Sequence, residues 1–387
     1  MGEVGTFQRG GGFLKSDFVE NGFPCIHYGQ IHMKLGAATY SHLTSIPPSV
    51  AAKSKIASPG DVIIAITSED VEGSCKSTAW MGDYDIAIGA HAAIFKHNLN
   101  PLFVSYYIQS CYFQKEKEAY THGFKVVEIK PSDIAKIPIR FPSLPEQQRI
   151  VDILDQEFAK IEAMKANAKK ALQAAKDLFQ ATLKQELEPK DGWKRTTIGE
   201  VCQVQGGSTP RRTEKAFWEN GTYPWFTVDD IRDQGRIITD TRQKITELAW
   251  NKLRVFPANS VLLCCTASVG EYALTTIPIT SNQQFNGLTI KDERSLSPMF
   301  LLYFTSTLKE RLLSLSGKTT IDFVSGEKVR GLSIAYPTTK QEQERIVSHL
   351  NDLNDRCKTL KDNHQKTLAL CDDLKQALLR KAFNGEL

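Results

Sequence analysis

Side chains able to engage a polyanion gather in loops with turn chemistry, and the second half of this 387-residue chain carries the richest of them. Gly206-Gly207-Ser208-Thr209-Pro210-Arg211-Arg212-Thr213-Glu214-Lys215 follows a short stretch, Val201 to Val204, that reads as a strand. Small residues there let backbone approach a phosphate closely, and Ser208, Thr209, Arg211, Arg212 and Lys215 add hydroxyls and cations. Gly317-Lys318-Thr319-Thr320, after an expected helix from Pro298 to Leu315, offers one cation in Lys318 and two hydroxyls in Thr319 and Thr320. Ser281-Asn282-Gln283-Gln284 is amide-rich, and Asn282, Gln283 and Gln284 are side-chain types that bond adenine bidentately. The first half offers Lys15 and Ser16 after Gly10-Gly11-Gly12, then Lys53, Lys55, Lys76 and the segment from His122 to Lys125.

Bond-making chemistry is not signalled. The chain has no H-E-x-x-H, no G-x-S-x-G, no G-x-G-x-x-G after a strand, and no Asn/Asp-Pro-Pro-aromatic tetrapeptide of the sort amino-methyltransferases use. Gly10 to Ser16 lacks both the glycine before the lysine and the apolar strand that a phosphate loop needs. Glu69-Asp70 and Asp229-Asp230 read as surface carboxylates. The eight cysteines show no C-x-x-C spacing, so they are expected to be reduced core thiols, with no metal site.

The elements that must position these loops come in two copies. Pro145-Glu146-Gln147-Gln148-Arg149-Ile150-Val151 returns as Gln341-Glu342-Gln343-Glu344-Arg345-Ile346-Val347, an offset of about 196 residues, and the match runs on through Leu154/Leu350, Leu172/Leu368 and Leu183/Leu379. The preceding segments echo more faintly: Gly2-Glu3-Val4 with Gly199-Glu200-Val201, Pro59–Thr67 with Pro257–Thr266, and Pro101-x-Phe103-x-x-Tyr106 with Pro298-x-Phe300-x-x-Tyr303. The order is globular, helix, globular, helix: 1–141, 142–189, 190–336 and 337–387. A period this long is too great for a solenoid. The fold expected is α+β, two related globular α/β domains separated by two long helices.

The second helix is expected to present Ile346, Leu350, Leu353, Cys357, Leu360, His364, Thr367, Cys371, Leu374 and Leu378 on one seam. The first repeats that register at Ile150, Leu154, Ile161, Met164, Ala168, Ala171, Ala175, Leu178 and Thr182, interrupted by Glu157. His364 is expected to be an ordinary core or half-exposed histidine. Some forty residues make each helix roughly 60 Å long. Neither buries its seam alone, so each is expected to pack antiparallel on the other about a pseudo-two-fold, with the globular domains at opposite ends of a ruler.

The net charge of +4 resides in residues 190–336, with 19 Lys+Arg against 15 Asp+Glu, while 1–141 balances at 13 each. The longest apolar runs, Val62 to Ile66 and Val261 to Cys265, are five residues each and read as buried strands, against about 20 residues for a bilayer span. Met1 to Gly12 has no apolar core of a secretory signal. Cytoplasmic residence is expected.

At Leu144-Pro-Glu-Gln-Gln-Arg-Ile-Val151 and Leu378-Leu-Arg-Lys-Ala-Phe-Asn-Gly-Glu-Leu387 the chain resembles the specificity (S) subunits of type I restriction-modification systems. Gly192-Trp193-Lys194 through Gly199-Glu200-Val201, followed by Gly206 to Pro210, is similar to the usual opening of a target-recognition domain. The likeness covers the whole chain, apart from the missing counterpart of Gly192 to Thr197 before Met1. It implies that each globular domain reads one half of a bipartite, asymmetric double-stranded DNA site. The helices would set the gap and dock two methyltransferase (M) subunits, with Gln147, Arg149, Gln343 and Arg345 as candidate partner contacts. Restriction (R) subunits would join in the full complex. S-adenosylmethionine and ATP would belong to those partners, and this chain would hold no cofactor, catalyse nothing and involve no membrane. The alternative is a coiled-coil scaffold whose duplicated domains bind proteins or glycans.

Overall fold

The computed structural model describes residues 1–123, 126–316 and 322–387. Two compact units result. The first comprises Met1–Lys169 with Asn363–Leu387, the second Lys170–Asp362, so each long helix contributes one half to each unit.

Both units are built on the same five-stranded sheet. In the first the order is Gly5–Arg9, Ala92–His97, Val62–Ala65, Ser77–Trp80, Ala38–Thr39; in the second it is Cys202–Gly206, Phe285–Ile290, Val261–Cys264, Tyr272–Thr275, Ile237–Ile238. The last pairing is parallel in each and the others antiparallel. Val62–Ala65 and Val261–Cys264 stand centrally and are buried throughout, which is why their sequences run apolar without alternation. A smaller sheet lies beside each: Thr44–Ile46, Phe23–Ile26, Ile86–Ile88, Lys55–Ala57 in the first unit, and Gln243–Ile245, Tyr223–Phe226, Thr280–Ser281 in the second.

The expected strand at Val201 is instead the end of a helical turn, Ile198–Val201, and the strand starts at Cys202. The expected helix from Pro298 divides into Pro298–Ser306 and Lys309–Leu315. Lys194–Thr197 pairs with Ser333–Tyr336 in the second unit, and Ile198 donates to Leu332 O. In the first unit the Met1 amine donates to Ile137 O instead.

The long helices span Leu144–Leu187 and Lys340–Asn384. Within the first unit their halves run antiparallel: Arg149 donates to Leu387 O, and Lys165 pairs with Asp372 at 2.7 Å. Within the second, Glu186 takes Arg345 at 2.9 Å and His349 at 2.8 Å, and Cys357 donates to Ala175 O. Ile150, Val151, Leu154 and Leu379 pack on Phe103 and Tyr106; their counterparts Ile346, Leu350 and Leu183 join the second core with Phe300.

The seam departs from the expected register. Met164, Leu178 and Leu374 are 50%, 57% and 45% exposed, and Lys165, Leu172, Phe179 and Lys375 are half-buried in their place. The shift begins where Glu157 interrupts the apolar pattern: Phe158 packs instead, edge-on to Tyr106 and under Lys375. One such step restores the 3.6-residue phase that a strict 3.5 repeat loses. His364 is half-buried.

Six of the eight thiols are buried, Cys111 and Cys357 half-buried, and all are free. Burial pushes Cys75 and Cys202 up to about 12 and Cys265 to about 11, so they are inert core groups.

Candidate nucleic-acid interface

Four chain segments meet at one end of each central strand, in the same arrangement in both units. In the second unit Gly207 N donates to Phe285 O at 2.9 Å and Ser208 N to Ser281 O at 2.8 Å, while Thr209 Oγ1 donates to Gln283 Oε1 at 2.5 Å. A side chain at Gly207 would meet Ser281 Oγ at 2.2 Å, so the crossing requires glycine. Asn282 to Gln284 folds on itself, Asn282 Nδ2 donating to Gln284 Oε1 and Gln284 N to Asn282 Oδ1, and Gln284 O takes Cys265 N at the start of the next loop. The sequence-predicted hydroxyl and amide loops are thus one cluster. Gln283 is exposed; Asn282 and Gln284 are half-buried.

The two arginines separate in role. Arg211 is exposed and offers its carbonyl to Trp218 Nε1 at 3.0 Å. The Arg212 guanidinium lies 4.0 Å from the Trp218 ring centre and 4.5 Å from that of Trp225, and donates to Gln243 Oε1 at 2.9 Å. It therefore holds the loop against the domain. Lys215 is exposed in the following turn, facing Glu219 at 3.4 Å.

Beside this cluster lies a cleft of about 420 Å³ between the helix Val228–Gln234 and the 265–271 loop, edged by Arg232, Glu271 and Lys309. Thr266 and Ala267 bond the chain at Phe323 and Asp322. The predicted Lys318, Thr319 and Thr320 lie outside the described residues.

The first unit has a cleft at the matching junction, about 650 Å³, between the helix Tyr28–Met33 and the 66–76 loop, closed by Lys15, His91 and Val126 where the second has Lys309 and Leu313. Lys15 and Lys76 line it, both exposed, and Ser16 is exposed beside Lys15. Gly10 N donates to Ala92 O and Gly11 N to Ile88 O, the bonds of Gly207 and Ser208 repeated. Lys53 and Lys55 are exposed next to that crossing, where a side chain at Gly11 would meet Ser54 Cα at 2.5 Å, but they do not line the cleft. His122 is exposed and pairs with Glu128, near Val126 at the cleft edge; Lys125 lies outside the described residues.

Sequence reasoning missed the aromatic floor of this cleft. The Tyr28 ring lies 5.0 Å from His91 and 5.9 Å from His32, and a His32 ring nitrogen lies 3.0 Å from Thr67 O. His91 occupies the place of Gln284, as its carbonyl shows by taking Ile66 N just as Gln284 takes Cys265 N. Carrying the amide triplet back through the repeat finds Gly89-Ala90-His91.

Of the four helix residues, the two glutamines need a correction. Gln147 and Gln343 are 1% and 0% exposed, so neither faces a partner in this structure. Each ties its helix start to the domain: Gln147 donates to Pro142 O and accepts from Asn100 N, and Gln343 donates to Ser295 O and Pro337 O and accepts from Ser297 N. Arg149 and Arg345 are half-exposed but engaged, Arg149 with Glu146 and Leu387 O, Arg345 with Glu342 and Glu186. Arg345 and then His349 hold the Glu186 carboxyl down at about 2.

Among the described residues no group of His, Cys, Asp and Glu is placed to hold a metal, and no helix is long and apolar enough to cross a membrane.

The architecture has known relatives. The family model for the type I restriction modification DNA specificity domain matches residues 1–174 and again 190–369. The EcoprrI specificity subunit of Escherichia coli is 40% identical over 115 residues, 29% of each chain, and the MjaIX specificity subunit of Methanocaldococcus jannaschii is 33% identical over 170 residues, 43% of this chain and 39% of that one. These two matches thus span well under half of either relative. The StySPI specificity subunit of Salmonella potsdam is 25% identical across 97% of this chain and 84% of its own. In fold, the chain superposes with a TM-score of 0.61 and 21% identity on the HsdS subunit of Thermoanaerobacter tengcongensis, covering 100% and 96%. A structure described under complex assembly and conformational transition of the type I R-M system gives 0.79 and 22%, covering 100% and 97%. With one matching domain per copy of its internal repeat, the chain belongs to the type I restriction-modification DNA specificity family.

Proposed function

We propose that this chain is the sequence-reading subunit of a type I restriction-modification assembly, each unit reading one half of a bipartite, asymmetric site in double-stranded DNA. The observation that carries this is the duplicated frame: one strand order and one backbone crossing in each unit, with a cleft at the matching helix–loop junction furnished with different side chains. Tyr28, His32, His91, Lys15 and Lys76 line the first, and Arg232, Glu271 and Lys309 the second. Two readers with one frame and unlike surfaces suit two unlike half-sites. Exposed cations such as Arg211 and Lys215 would hold phosphates and fix register, while amides and hydroxyls read base edges, each good bidentate pair giving about 1–3 kcal/mol of discrimination.

Two methyltransferase subunits would dock on the helices. Support comes from exposed apolar residues that the repeat duplicates: Met164 and Leu374 in the first unit, Leu360 and Leu178 in the second, all at least 37% exposed. S-adenosylmethionine, and ATP with the restriction subunits, would come with the partners, and all bond chemistry would take place there, in the cytoplasm. The helices would set the unread gap through their length.

Mixing the chain with a partner methyltransferase and duplex DNA in a mobility-shift assay tests the reading. Sequence-dependent retention of the duplex is expected; retention of other proteins or glycans but not of DNA would favour a scaffold.

A further inference from the structure

Between matching strands, Val62–Ala65 to Ser77–Trp80 and Val261–Cys264 to Tyr272–Thr275, the two units differ in loop length: eleven residues (66–76) in the first and seven (265–271) in the second. The longer loop carries Glu69, Asp70 and Lys76 to the cleft edge. It folds tightly: Gly73 N donates to Asp70 Oδ1, Ser74 Oγ to Val71 O, and Cys75 sits at φ 61°. Behind it, the helix Cys111–Glu118 buries Lys117, 1% exposed, whose Nζ donates to Ser74 O at 2.6 Å and Glu72 O at 3.1 Å.

A lysine in a core is costly unless its ammonium has work there. The second unit shows the unburdened solution. Its helix Lys309–Leu315 follows a buried Leu308, presents Leu312, 0% exposed, with the spacing of Phe113 and Lys117, and meets the shorter loop where Lys309 abuts Gly270. Lys117 thus coincides with the added loop residues, and its two bonds end on carbonyls of that loop.

We propose that Lys117 is a positioning residue: it fixes the 66–76 loop, and with it Glu69, Asp70 and Lys76, so that the first half-site is read selectively although Lys117 touches no DNA. The chemistry served is base-edge readout, carboxylates accepting from the cytosine amino group and a lysine donating to guanine acceptors. The inference rests on the proposed function, since the cleft must face DNA.

The test uses the full chain assembled with its methyltransferase and a randomised duplex library. Lys117→Leu is expected to lower base discrimination about tenfold at one or two positions of the first half-site, leaving the second half-site and the gap unchanged. Lys117→Gln, which keeps a two-hydrogen donor on a side chain one bond shorter, is expected to retain part of the preference. A companion variant shortens the loop to seven residues together with Lys117→Leu, reproducing the second unit's arrangement in case the single change does not fold; it too is expected to lose first-half discrimination only. Unchanged preference in a folded Leu variant, or equal loss at both half-sites, would overturn the role of Lys117. A wild-type assembly that selects no DNA sequence would instead overturn the function on which it rests.

Discussion

Replacing Gln343 by Met separates a buried fastener from a partner contact. The side chain is 0% exposed and makes three hydrogen bonds, to Ser295 O at 2.8 Å, to Pro337 O at 2.8 Å and from Ser297 N at 2.7 Å. Methionine has similar volume, so no large cavity opens, but two carbonyls and one amide lose their partner. At about 0.5–1.5 kcal/mol net for each bond, the loss sums to about 3 kcal/mol. In a unit of this size that lowers the midpoint of thermal unfolding by roughly 6–12 °C. Gln147, with two bonds, should cost about 2 kcal/mol on the same scale. Intrinsic fluorescence reports the units unequally, because Trp193, Trp218, Trp225 and Trp250 all lie in the second unit and Trp80 alone in the first. Denaturation followed by fluorescence should therefore show the Gln343→Met shift strongly and the Gln147→Met shift weakly. A loss below about 0.5 kcal/mol for Gln343→Met, together with failed methyltransferase binding, would refute the fastener and restore a partner-facing role.

Glu186 is held down at about 2 by Arg345, then His349 and Lys190, against an ordinary 4.5. A depressed carboxylate contributes stability that is full above 4.5 and lost as pH falls toward 2, so Glu186→Gln should cost about 2 kcal/mol at neutral pH and flatten the acid limb of an unfolding-versus-pH curve. Lysines at Met164 and Leu374 together should reduce bound methyltransferase from two copies to one, and lysines at Leu178 and Leu360 should do the same, as read by sedimentation; two copies still bound would reject those patches. Arg211→Ala should reduce the salt slope of DNA affinity by about 1, whereas Arg212→Ala should cost about 1–2 kcal/mol of stability through its two ring contacts and leave the slope nearly unchanged.

The duplicated order of strands and helices was legible because core positions repeat at a fixed offset, as Ile150/Ile346 and Leu154/Leu350 do. Recurrence says only that a residue matters to both copies. It does not say which way the side chain points, and so Gln147 and Gln343 read as partner contacts when burial makes them internal ties. A strict three-four alternation likewise placed Met164 and Leu178 inward, because a sequence does not show where helical phase is recovered; Phe158 beside Glu157 was the clue. In the cleft, cations and amides stood out by type, while Tyr28, His32 and His91 did not, being ordinary residues until the fold brings them together. Arg212 shows the converse, a base-reading type occupied by two tryptophans.

The most direct measurement is a map of methylated sites produced by the assembled complex, for the wild-type chain and for one with four residues inserted in a long helix. Four residues add about 6 Å, nearly two base-pair steps at about 3.4 Å each. Two unlike half-sites separated by unread bases are expected, with the insertion lengthening the gap while both half-sites persist. A continuous motif, or half-sites that change while the gap stays fixed, would contradict the account of two readers on a helical spacer.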